Sequence, residues 1–259
     1  MSDILHEIVE KNRPLLAERK RLRPMAELEA AEKDLPPAPG FAAAFAGPGI
    51  HVIAELKKAS PSKGTIREEL PVAELAASLE AAGAAALSVL TEPFYFEGSL
   101  ENLEIAACST RLPLLRKDFI CDPYQIAEAR CAGASAVLLI AAMLEPGEFR
   151  RLRDCAHAFG LDVLGEAHSE EELEIVREAD LIGVNARDLH DFSTSLDRSV
   201  EVIAKVTVER PVIAESAVRT PEDIRRLRQA GAHGFLIGET LMRAADPGAE
   251  LGRLIRCSC

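Results

Sequence analysis

From His51 onward the sequence repeats one pattern eight times: a short apolar run of four to seven residues, then a longer amphipathic stretch. The runs are His51–Leu56, Ala84–Leu90, Leu112–Arg116, Ser135–Ile140, Leu161–Gly165, Leu181–Val184, Pro211–Ala214 and Gly234–Ile237. Helical periodicity marks the segments between them, among them Val72–Ala82, Pro123–Cys131, Glu148–Phe159, Ser169–Glu178 and Pro221–Ala230. Continuous apolar runs of this length read as strands buried on both faces, and strand–helix alternation is the mark of a parallel sheet. Three helical segments end in Ala-Gly-Ala, at 82–84, 132–134 and 230–232, where glycine suits the cap before the next strand.

Eight strands exceed what a doubly wound sheet usually holds, and neither GxGxxG nor GxxxxGK[ST] is present to support such a sheet. The chain has 259 residues, against roughly 250 for a closed eightfold barrel. The expected fold is α/β: a (β/α)8 TIM barrel over residues 48–259, one functional domain, with an N-terminal helical extension over residues 1–47. In the extension Ser2 and Asp3 are candidate N-caps, and Ile4, Leu5, Ile8 and Val9 recur at helical spacing. Pro14 and Pro24 punctuate it, and Glu18-Arg19-Lys20-Arg21 is expected to be a solvated helix face.

Composition narrows the partners. A formal charge of −12 argues against a general nucleic-acid or anionic-membrane binder, but a local group of lysines and backbone N–H groups could still hold a small anion. No apolar run approaches the roughly 20 residues of a membrane span, and the first residues lack a secretory pattern, so a cytoplasmic protein is expected. Six cysteines without a CxxC read as reduced thiols, and the terminal Cys257-Ser258-Cys259 offers too few ligands for a metal site. Among His6, His51, His157, His168, His190 and His233 there is no HExxH, and His168 reads as the start of a helix. No metal and no cofactor are expected.

Barrel enzymes carry their chemistry at the C-terminal ends of the strands. The polar residues there are Glu55 and Lys57, Lys117, Glu166, Asn185 and Arg187, then Glu215 and Ser216. Glu55 and Lys57 stand two apart and so share a face of extended backbone, as do Lys117 and Phe119, with Asp118 pointing away. A structural ion pair would explain Glu55 and Lys57 equally well. Glu166 could be an ordinary strand-end carboxylate, and Asn185 could merely shape a turn. The turns at Glu215-Ser216-Ala217 and Gly238-Glu239-Thr240 stand where barrels of this kind bind phosphate, with small residues that permit close backbone approach.

At this point the residues resemble a known family, the indole-3-glycerol phosphate synthases. The resemblance lies in Ile53-Ala-Glu55-Leu-Lys57-Lys-Ala-Ser60-Pro61-Ser62, Leu115-Arg-Lys117-Asp-Phe119-Ile and Ile182-Gly-Val-Asn185-Ala-Arg187-Asp-Leu. It continues through Ala214-Glu215-Ser216, Phe235-Leu-Ile-Gly238, Tyr95-Phe96-Glu-Gly98-Ser99 and the helical extension, and so covers essentially the whole chain. It implies a carboxy-lyase of tryptophan biosynthesis, converting 1-(2-carboxyphenylamino)-1-deoxyribulose 5-phosphate to indole-3-glycerol phosphate with loss of carbon dioxide and water.

By the same resemblance Lys117 is the general acid on the ketone, and Lys57 pairs with the substrate carboxylate and can donate in the dehydration. Glu166 stabilises or relays charge opposite Lys117, Glu55 assists the dehydration, and Asn185, Glu215 and Ser216 complete the catalytic set. Ser60, Phe96, Phe119, Arg187, Leu236, Ile237, Gly238 and Glu239 are the implied substrate-binding residues. Burial is expected to bring the Lys117 ammonium down toward working pH. One departure stands out: Ala217 occupies the place of the usual glycine after Glu-Ser, which restricts the phosphate turn, and Glu239 must point away from the phosphate. The small phosphorylated substrate is the expected partner, and the chain is expected to be a monomer or homodimer. A phosphoribosylanthranilate-type isomerase would call for a Cys and Asp pair instead. A non-catalytic sugar-phosphate binder would not need so many titrating groups.

Overall fold

The computed structural model describes residues 3–187 and 193–258; Ser2, the side chain of Asp3, His190 and Cys259 lie outside the described residues. Eight strands form a closed parallel barrel: β1 (His51–Leu56), β2 (Ala86–Leu90), β3 (Leu114–Lys117), β4 (Ala136–Ile140), β5 (Asp162–Ala167), β6 (Leu181–Asn185), β7 (Val212–Glu215) and β8 (Gly234–Ile237). Closure comes from β1, which pairs with β2 through Ile53–Ala86 and with β8 through His51–Gly234. Helices α1 (Asp3–Leu22) and α2 (Met25–Glu32) precede the barrel. Then α3 (Val72–Ala81), α4 (Leu100–Ser109), α5 (Pro123–Cys131), α6 (Pro146–Ala158), α7 (Glu170–Val176), α8 (Leu196–Ile203) and α9 (Pro221–Ala230) each follow a strand. The chain continues through α10 (Glu239–Arg243) and α11 (Pro247–Ser258).

The strands are apolar because both faces are covered, one by the barrel interior and one by the helices; Val52, Ile53, Ala54, Leu87, Leu115 and Val137 are all buried. Four of them run past the apolar segments that announce them. Lys117, Glu166, Asn185 and Glu215 are still paired, to Leu90, Ile140, Glu215 and Asn185 respectively. A polar residue ends the apolar run but not the backbone ladder. The three Ala-Gly-Ala sites behave as the sequence suggests: Gly83, Gly133 and Gly231 take φ of 94°, 89° and 115°, open to glycine at little cost.

The extension differs from expectation in two places. Pro14 does not interrupt α1, which runs straight through it. Pro14 and Glu10, whose carbonyl loses its helical donor, are both exposed, so water can replace the missing bond. The charged run is not wholly solvated either. Glu18 and Arg21 do form an exposed pair, but Arg19 Nε lies 2.9 Å from the buried Glu128 and Lys20 Nζ 2.5 Å from Asp122. Tyr124 adds a hydroxyl donated to the Arg19 and Arg23 carbonyls at 2.9 and 2.8 Å. Those contacts fasten α1 to α5.

Further along, Phe45 reaches the opposite end of the barrel, where a Cβ on Gly234 would come within 2.8 Å of its ring. Ala42 N–H donates to Asp162 at the start of β5, 2.8 Å away. The extension therefore touches the barrel at both ends, and its first helix overhangs the C-terminal mouth.

Candidate active site

A cavity of about 410 Å³ opens at the C-terminal ends of the strands. All fifteen residues singled out from the sequence line it. At its centre Lys117 Nζ donates to Glu166 Oε2 at 2.7 Å and to Glu215 Oε2 at 2.6 Å, joining β3, β5 and β7 through one ammonium. Asn185 Nδ2 donates to the other Glu166 oxygen at 3.1 Å, and Asn185 Oδ1 accepts from the Ser216 hydroxyl at 2.8 Å. Asn185 thus links neighbouring strand ends, while Lys117 reaches across the barrel mouth to two others.

Burial presses the Lys117 pKa down, but the charges of Glu166, Glu215 and Glu55 outweigh it and the net shift is upward. That corrects the expectation of a lysine tuned toward neutrality. Between these carboxylates Lys117 keeps its proton firmly. Burial raises Glu166, yet Lys117 and then His168 more than reverse it, so this carboxylate is held well below its ordinary range. Glu215 goes the other way, because burial and the nearby Glu166 outweigh Lys117. Two carboxylates on one ammonium are therefore unequal: Glu166 stays ionised and Glu215 is the one inclined to carry a proton.

Glu55 and Lys57 form a close ion pair on the same wall, as their spacing requires. Glu55 is almost fully buried and lies against Gly238. The chain after β1 makes a small hairpin, Ala59–Ser60 against Gly64–Thr65, and Ser62 Oγ accepts from Arg187 at 3.0 Å. On the far side Ser216 and Ala217 take φ of 64° and 58°, left-handed conformations for residues with a Cβ. The Glu239 carboxylate is drawn along α10 to Arg243 Nε, 3.0 Å away. Lys63, Arg219 and Arg243 stand around the same end of the cavity.

The apolar wall is built by Phe96 and Phe119, ring centroids 5.9 Å apart, with Ile4, Leu5 and Ile8 of α1. Phe96 is presented by a loop wound around the buried Glu92, whose carboxylate accepts from the N–H groups of Phe94, Tyr95 and Phe96 at 3.0, 2.7 and 3.1 Å. Asn12 of α1 donates to the same carboxylate at 2.9 Å, and Tyr95 donates to Glu7 at 2.6 Å. Outside the barrel, fully buried Arg116 joins Asp118 at 2.8 Å and Glu128 at 3.4 Å, so the residue before Lys117 is locked toward α5.

Residues 5–254 match the family model for indole-3-glycerol phosphate synthase. The chain belongs to that family. It is 49% identical over 260 residues to the indole-3-glycerol phosphate synthase of Koribacter versatilis (strain Ellin345), covering 98% of this chain and 100% of the relative. The enzyme of the same name from Bordetella pertussis is 43% identical, with 98% and 100% covered. A variant tryptophan synthase alpha-subunit from Pyrococcus furiosus shares the fold at a TM-score of 0.60 and 11% identity, over 81% of this chain and 97% of that one. Thiamine phosphate pyrophosphorylase from the same organism gives 0.59 and 17%, over 81% and 95%. As an indole-3-glycerol phosphate synthase the chain is a carboxy-lyase of tryptophan biosynthesis, closing the indole ring of 1-(2-carboxyphenylamino)-1-deoxyribulose 5-phosphate with loss of carbon dioxide and water.

Several lining residues were not singled out from the sequence. Ile4, Leu5 and Ile8 carried a helical signal, but nothing local says that this helix begins over the mouth. Arg219, Arg243 and Lys63 sit among many surface cations of similar appearance. Glu92, two residues past the apolar run Ala84–Leu90 and behind the lining rather than in it, had no signal at all.

Proposed function

We propose that Lys117 protonates the ketone oxygen of the substrate as the aryl carbon attacks the ketone carbon. The observation that carries this is the Lys117 ammonium held at 2.6 and 2.7 Å between Glu215 and Glu166, beside Phe119. An aromatic ring lying along Phe96 and Phe119 puts the ketone over Lys117. The arriving oxygen takes the place of one carboxylate around the ammonium, which eases release of its proton. Carbon dioxide then leaves the quaternary ring carbon and its bonding electrons restore the aromatic ring. In the dehydration Lys57 supplies a proton to the departing hydroxyl with Glu55 behind it, and Glu166 takes the proton from the adjacent ring carbon. Ring closure and hydroxyl loss each consume a proton and the carbon returns one, so a turnover takes up one proton from water. Positioned donors of this kind supply about 10²–10⁴-fold each.

The phosphate is assigned to the turn of Ser216 and Ala217 and the backbone at Gly238, with Glu239 turned to Arg243. Arg187 and Ser60 bound the sugar chain, Leu236 and Ile237 floor it, and Asn185 holds Glu166 and Ser216 in register. The 1–47 extension and the 48–259 barrel work as one functional unit, since α1 supplies a wall of the cavity. One chain supplies the whole site, which suits a monomer or a homodimer with independent sites. A cytoplasmic setting suits a small phosphorylated substrate and the thiols, all free among the described residues.

Single-turnover kinetics of Lys117→Met and Lys57→Met, with binding measured separately, test the assignment. Lys117→Met lowers the chemical rate by about 10²-fold or more with binding little changed, while Lys57→Met weakens both. Near-normal turnover of Lys117→Met would show that another group is the acid.

A further inference from the structure

His168 stands one residue beyond β5, where its sequence context suggested only the start of a helix. The structure buries it to 8% exposure and turns its ring inward. Nε2 lies 3.4 Å from Glu166 Oε1, on the oxygen that does not face Lys117, and has no aligned hydrogen bond of its own. Nδ1 lies 3.2 Å from Glu172 Oε2 on α7, which also accepts the His168 backbone N–H at 2.7 Å. A helix-start role needs only the backbone bond. It does not explain a buried ring between two carboxylates.

We propose that His168 is a positioning residue for Glu166, holding its carboxylate in place from the side opposite Lys117. The proposal rests on the reading of Lys117 as acid and Glu166 as base. Before reaction Lys117, Asn185 and His168 grip Glu166 from β3, β6 and the end of its own strand. Once Lys117 has given up its proton, it no longer carries the charge that anchors Glu166. The carboxylate must nevertheless stay ionised and in place to take the proton from carbon. An imidazolium on its other oxygen does both. The ionisable groups that face His168 are Glu166 on β5, Glu172 on α7 and Glu215 on β7, with Lys117 on β3 beyond Glu166. The turn Ala141–Met143, packed between β5 and α7, carries none. With carboxylates on three sides, burial is outweighed and the ring favours its charged form.

His168→Asn keeps a donor near the Nδ1 position and removes Nε2 and the charge; His168→Gln can place a neutral donor near Nε2. The expected result for His168→Asn is kcat about tenfold lower with KM within about twofold. The acid limb of kcat moves to higher pH, because Glu166 loses a stabilising cation. His168→Gln recovers part of kcat. Unchanged kcat and an unmoved acid limb in both variants, or a change in melting temperature alone, would overturn the proposal. Glu166→Gln, run alongside, separates the two levels. If it abolishes turnover while the His168 variants behave as the parent, the positioning role falls and the acid–base reading stands. If it turns over normally, that reading falls.

Discussion

Glu55 occupies the space that a side chain at position 238 would need. A Cβ on Gly238 would overlap Glu55 Oε1 and crowd its Cβ at 3.1 Å, and Glu55 in turn holds Lys57. The glycine is thus needed for close packing of a buried carboxylate.

Gly238→Ala must push Glu55 aside and with it Lys57. Overpacking of this kind costs about 1–3 kcal/mol, and with the pair acting in dehydration as proposed, displacing it by an ångström costs up to about 10²-fold in rate. Steady-state kinetics with a denaturation curve read both. A variant with parental kcat/KM would mean that Glu55 is not held where its geometry matters.

Ala217→Gly relieves backbone strain, because Ser216 and Ala217 sit at φ of 64° and 58° and only the second is tested by this change. A left-handed residue with a Cβ costs about 1–2 kcal/mol, partly offset by the greater freedom of glycine in the unfolded chain. The expected gain is about 0.5–1 kcal/mol in urea unfolding. Equal or lower stability would show the turn to be unstrained in solution.

Lys117→Met leaves Glu166 and Glu215 buried without their cation, at a cost of about 3–5 kcal/mol. The sign of its pH dependence follows from burial. In the parent Glu166 is depressed, so its contribution is present above the unfolded carboxylate value and lost on acidification. In the variant only His168 and the Asn185 hydrogen bond still oppose burial at Glu166, so its value rises from the depressed parent level, and Glu215, already raised by burial, is raised further. Stability is then full below an unfolded value of about 4 and lost as pH rises. The melting temperatures of parent and variant should diverge between about pH 5 and pH 8. Parallel curves would place the carboxylates in water.

Leu5→Ala opens the apolar wall contributed by α1. Leu5 is buried and lines the cavity, so the substitution should lower stability by about 2–3 kcal/mol and raise KM several-fold. Deleting the residues before Gly40 should do both more strongly. Parental KM in either protein would remove the extension from the binding site.

Glu239→Gln should change KM by less than about twofold, since the carboxylate is paired with Arg243. A large gain in affinity would show instead that it opposes the phosphate.

How far the sequence reached can be judged residue by residue. The eight apolar runs and three Ala-Gly-Ala caps determined the barrel, because burial on both faces leaves a period-free hydrophobic signature and a left-handed cap requires glycine. Strand position alone placed Glu55, Lys57, Lys117, Glu166, Asn185 and Glu215 at one mouth. The ionisation of Lys117 was settled otherwise, by three carboxylates from β1, β5 and β7 that no local spacing brings together. The same holds for Arg19 and Lys20 of α1 against α5, for Glu92 beneath the Phe96 loop and for His168 behind Glu166. A strand or cap is written in neighbours along the chain, whereas the state of a buried charge depends on partners far along it, and only closure of the barrel decides which ones it meets.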